Sequence, residues 1–91
     1  MKYKLEEYLE ISAIEERVLP NSKVPYFLLF IFDRKKAREE RKIVVQYLLS
    51  RERERGLEKE ARKCRELVYM GHNPRKVLRR FVRYSIEMRR S

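Results

Sequence analysis

The sequence predicts a small, mainly α-helical domain, and three observations in its last third carry that prediction. Leu57, Ala61, Cys64 and Val68 repeat at i, i+4, i+7 and i+11, a narrow apolar seam of helical period. Gly71-His72-Asn73-Pro74 then supplies a left-handed terminator, an N-cap and a first-turn proline, in the order that ends one helix and starts the next. From Arg75 to Arg90, Val77, Leu78, Phe81, Val82, Tyr84 and Met88 fill one arc of a helical wheel. Arg75, Lys76, Arg79, Arg80, Arg83 and Arg90 fall in the opposite arc of roughly 140°. With 91 residues, one domain of three or four packed helices and a thin core is expected.

The sequence divides into an N-terminal arm, residues 1–33, and a basic helical domain, residues 34–91, expected to act as one cooperative unit. In the arm, Tyr3, Leu5, Leu9, Ile11 and Ala13 are interleaved with Lys2, Lys4, Glu6, Glu10 and Ser12. That alternation favours an amphipathic strand, and so an arm that forms a β-hairpin, over a short charged helix, which remains the alternative. Pro20-Asn21-Ser22 reads as a turn. Tyr26, Phe27, Leu28, Leu29, Phe30, Ile31 and Phe32 are apolar on every side, so the run is read either as core buried on both faces or as an oligomer interface. Periodicity leaves open a core strand or the first turns of a buried helix, and aromatic and β-branched content leans towards strand. The longest apolar run, Val24 to Phe32, is about half the ~20 residues that a helical membrane span needs.

Asp33 is placed to cap the next helix. From Arg34 to Arg55, Ala37, Val44 and Leu48 share one stripe beside Tyr47, while Glu39/Lys42 and Glu52/Arg55 stand at (i, i+3) spacing. Arg51 to Arg55 reads as a solvated face, and Gly56 as the break before the helix that starts at Leu57.

Charge bounds the function. Twenty-four Lys and Arg against fourteen Asp and Glu give a net charge of +10 and a pI near 10.0, which points to polyanionic partners. Residues 1–34 hold five cations and six anions, so the whole excess lies downstream. His72 to Ser91 alone holds seven cations, six of them Arg, against Glu87. Guanidinium groups fit phosphates and guanine edges through a planar fork. The wealth of Arg, Lys and Glu also resembles a thermophile's surface bias.

Enzymatic parts are scarce. His72 is the single histidine and has no local carboxylate or cysteine at ligand spacing. Two glycines make no phosphate cradle. Cys64, the single cysteine, sits in an apolar seam and reads as a small buried hydrophobe, so no disulfide framework and a reducing compartment are expected. The expectation is a non-enzyme with no metal and no cofactor, cytoplasmic or nucleoid-associated, not secreted and not bound to a membrane.

Glu66 to Val77 resembles the helix-turn-helix of tri-helical DNA-binding domains. Gly71, Asn73 and Val77 stand where that family favours glycine, a polar cap and an aliphatic residue. Leu67 stands where a small residue is usual, and His72 where an apolar residue usually plugs the core. The resemblance spans about the last 35 residues. It implies that Asn73, Arg75, Lys76, Arg79, Arg80 and Arg83 lie at or near a DNA groove, with Arg90 further along the same basic arc. The expected function is nucleic-acid binding, DNA before RNA, by a monomer or a homodimer paired through Tyr26 to Phe32. The competing class is a helical assembly subunit. Because the basic arc points away from the apolar one, Arg75, Arg79, Arg80 and Arg83 are expected to accept glutamine without loss of the fold.

Overall fold

A computed structural model describes residues 5–20 and 23–90, the last of these as backbone alone. The described residues form five helices and no strand: α1 Leu5–Val18, α2 Tyr26–Phe32, α3 Arg34–Arg51, α4 Glu58–Tyr69 and α5 Pro74–Arg90. Helix α5 is the centre. It packs on α4, α1 and α3, and its Val77, Leu78, Phe81, Val82 and Ile86 are buried against Val44 and Leu48 of α3 and Ala61, Cys64 and Val68 of α4. Tyr47 meets Phe81 edge to face with ring centroids 6.0 Å apart, a geometry that suits the ring quadrupoles.

The N-terminal β-hairpin is corrected to a helix. Ile11, Ile14, Val18 and Leu19 all lie in or against the core, and their i, i+3, i+7, i+8 spacing is helical. The alternation over residues 3–13 ended before this series was complete. Ile11 and Leu19 join the same core as α3 to α5, so the arm is built into the bundle. Tyr3, Asn21, Ser22 and the Arg90 side chain, which entered the strand, turn and basic-arc readings, lie outside the described residues.

Of the strand and helix readings of Tyr26 to Phe32 the helix forms, against the lean towards strand, and burial on both faces is corrected: the helix has seven residues and only Leu29 is buried. With no strand to pair with among the described residues, the backbone must satisfy itself locally. Leu28 and Leu29 donate to the Pro25 carbonyl at 3.0 and 3.3 Å, and proline at the helix entrance gives up no donor that the helix needs. The Asp33 amide closes α2 on Leu29 at 2.7 Å. Its carboxylate accepts from the Lys36 amide at 3.1 Å and opens α3. One residue therefore ends one helix and caps the next.

Helix α3 buries the expected stripe of Ala37, Val44 and Leu48, and with it Glu40. Its local pairing differs from the spacing rule. Glu52 turns from Arg55 to Arg65 of α4, taking a two-pronged contact at 2.7 and 3.1 Å, and no Glu39–Lys42 ion pair forms among the described residues. Gly56, at φ +88°, breaks the chain between α3 and α4.

Candidate nucleic-acid interface

The α4–α5 corner is built as its residues dictate. Gly71, at φ +99°, donates to Val68 at 3.0 Å while His72 donates to Leu67 at 3.1 Å. This paired closure of the last carbonyls depends on a left-handed residue. Asn73 accepts from the Arg75 amide at 2.9 Å and Pro74 is buried behind it. His72 is exposed. No three His, Cys, Asp or Glu side chains converge as a metal site among the described residues. Burial pushes the Cys64 thiol up to about 11, which leaves it protonated at neutral pH and inert as a nucleophile.

The corner brings the predicted cations together on one helix but engages Arg75, Arg79 and Arg80 with carboxylates of the same chain. Arg75 forms a fork on Glu40, Nε to Oε1 at 2.8 Å and Nη2 to Oε2 at 2.9 Å, and its third donor bonds the Val24 carbonyl. Arg79 meets Glu15 of α1 at 2.8 Å, which raises its pKa. Arg80 stands 3.6 Å from Glu60 of α4, and Arg89 pairs with Glu10 of α1. Lys76 is exposed and Arg83 half-buried.

Helix α1 thus lies over half of the basic arc, the half that contains Arg75 and Arg79. The outward side is Lys76 and Arg80, whereas Arg83 lies half-buried beside Tyr8, Ile11 and Ser12 of α1. A sequence signal for this existed. Ile86 falls about 20° from Arg75 on the wheel, inside the cationic arc, and it is buried. An isoleucine there marks the edge at which a second helix docks. The expectation that all four arginines can be replaced freely therefore fails at Arg75, which holds a buried carboxylate.

Sequence reasoning passed over the cations of α3. Arg34, Lys35, Lys36, Arg38 and Lys42 are exposed, and among the described residues no carboxylate lies at ion-pair distance from any of them. The charge-run reading covers Arg51 to Arg55 alone and gives these earlier cations no role, with Glu39 and Glu40 standing among them. Glu40, however, is turned inward to Arg75, so it does not neutralise its own helix. Arg41 donates to the Val68 carbonyl at 3.1 Å. That bond and the Arg75–Glu40 fork hold the start of α3, the end of α4 and the start of α5 at one end of the bundle. A groove of about 550 Å³ runs between α3 and α4 there, with Arg38, Arg41 and Lys42 on one side and Tyr69 on the other. The Arg65 guanidinium sits over the Tyr69 ring, 5.8 Å from its centroid.

No described helix is long and apolar enough to cross a membrane. The chain matches no protein-family model, no curated protein and no solved structure at a significant level.

Proposed function

We propose that this protein binds nucleic acid, duplex DNA first, at the basic end of the bundle. The observation that carries the reading is the cluster Arg34, Lys35, Lys36, Arg38 and Lys42, five exposed cations with no carboxylate at pairing distance among the described residues. Lys76, exposed beside the Arg75 that Glu40 ties to α3, extends it onto α5. Cations that are not already neutralised can release condensed counterions from a phosphate backbone, which is where most of the affinity for DNA arises. Phosphate contacts then position the molecule, and any reading of base edges falls to the start of α5, as the helix-turn-helix resemblance implies. Such a protein acts in the cytoplasm or on a nucleoid. The alternative is an assembly subunit, favoured by the exposed apolar face of α2. RNA is the other polyanion in play, since a basic end alone does not separate the two.

The test is binding to a short duplex across a salt series, with structured RNA as competitor. Five phosphate contacts predict a log–log slope of about −4.5, and DNA is expected to outcompete RNA. A flat slope, or no binding at low salt, removes the reading.

A further inference from the structure

Helix α2 is apolar throughout yet mostly open. It packs on α3 and buries Leu29, yet Phe27, Phe30, Ile31 and Phe32 remain 63, 49, 62 and 81% exposed. Four large side chains open to this extent leave on the order of 500 Å² of apolar surface, given the 150–250 Å² that each aromatic ring can bury. That is near the upper limit of the apolar patches that monomers carry. Two such faces brought together bury up to roughly 1,000 Å², about the least that a biological interface needs, so the balance of charge around them decides whether they pair.

What covers the face must also contend with its border. Asp33 ends α2, and α3 continues at once with Arg34, Lys35, Lys36 and Arg38, all exposed. Arg34 already lies over the Phe30 ring, 5.7 Å from its centroid. An apolar face of matching size is available on a second copy of the chain. Pairing through it sets two clusters of cations side by side, and their repulsion opposes the contact until something screens it.

We infer that a second copy of this chain covers α2, face to face on Phe27, Phe30, Ile31 and Phe32, and that anions which neutralise the flanking Arg34, Lys35, Lys36 and Arg38 drive the pairing. The coupling to nucleic acid rests on the function proposed above, whereas the pairing itself does not. Salt weakens most contacts between charged proteins, but this one tightens as ionic strength rises, because screening removes repulsion and leaves apolar burial untouched. A polyanion does the same at low salt. By reciprocity, paired molecules bind it more tightly than single ones.

Sedimentation equilibrium of the full chain at about 50 mM and about 500 mM NaCl, with and without a short DNA duplex, tests this. Pairing is expected to tighten on the order of tenfold between the two salts, and the duplex at low salt is expected to take up two copies. Phe27→Ser with Phe32→Ser, both at exposed positions and checked by circular dichroism, abolishes pairing at both salts. Lys35→Gln with Lys36→Gln tightens pairing at low salt and flattens its salt response, while weakening DNA. A chain that stays monomeric at high salt and high concentration overturns the inference. So does a monomer that binds anionic phosphatidylserine vesicles through the same phenylalanines, or pairing that weakens with salt. Salt-strengthened pairing with no DNA binding supports the second copy and fails the nucleic-acid reading alone.

Discussion

Helices α3 and α5 each carry seven Lys and Arg, and the fold treats the two sets in opposite ways. On α5, Arg75, Arg79, Arg80 and Arg89 stand within ion-pair distance of Glu40, Glu15, Glu60 and Glu10. On α3, among the described residues, Arg51 alone has such a partner, Glu54. The helix with the cleaner basic arc on a wheel is therefore the more neutralised one. An arc is a property of one helix, whereas a field depends on every carboxylate that the other helices bring to it. Packing on α1, α3 and α4 brings α5 up against their carboxylates. The first turns of α3 lie beside α2, whose seven residues include none.

The largest expected effect separates structural from exposed cations. Glu40→Ala leaves Arg75 half-buried without its carboxylate, at a cost of about 3 kcal/mol. For a chain of this size that lowers Tm by roughly 10–20 °C. Glu60→Ala removes the long pair to Arg80, which is 47% exposed, and is expected to cost under about 1 kcal/mol. Thermal unfolding followed by circular dichroism measures both. Equal losses would break the distinction between a cation that holds the fold and one that only decorates it.

The same contrast predicts binding. Replacing Lys35, Lys36, Arg38 and Lys42 with glutamine should flatten the salt slope by about 3.5 and lower DNA affinity about a hundredfold at moderate salt. Replacing Lys76 and Arg80 should change the slope by less than about 2. Arg79→Gln should change it least, because Glu15 already occupies that guanidinium. Filter binding or anisotropy over a salt series ranks the three. If Arg79 outranks the α3 set, the cations held by α1 are the working ones and the surface has been placed on the wrong helix.

Much of this bundle was legible before any coordinates. The Asp33 cap, the break at Gly56, the turn through Gly71 and Asn73, and the seam Ala61–Cys64–Val68 all follow from rules that act within about one helical turn. What was not legible depends on partners distant in sequence. Glu40 reads as a surface carboxylate beside Arg41 until Arg75, 35 residues away, is folded onto it. Tyr26 to Phe32 has no periodicity from which to read a face, and its β-rich composition gave way once nothing nearby could extend a sheet. The site followed the same pattern. The presence of cations on α5 was readable, but which of them the other helices neutralise was not.

Helix α4 offers the smallest and finest test, because its Arg65 is already neutralised by Glu52, the residue that follows α3. Hydrogen bonding from Arg65 outweighs desolvation and holds the Glu52 carboxyl below its ordinary value of 4.5. The same contact raises Arg65. The folded-state value lies below the unfolded one, so the stabilisation is complete above about pH 4.5 and disappears as pH falls through the lower folded-state value. At a half-exposed position it amounts to about 1 kcal/mol or less. The difference in urea midpoint between pH 7 and about pH 3 should therefore be smaller in Glu52→Gln than in the unaltered chain, while DNA affinity at neutral pH stays unchanged. A gain of affinity in that variant would mean that the basic field is not confined to the start of α3, since relieving Arg65 of its partner would then have added a cation to the interface.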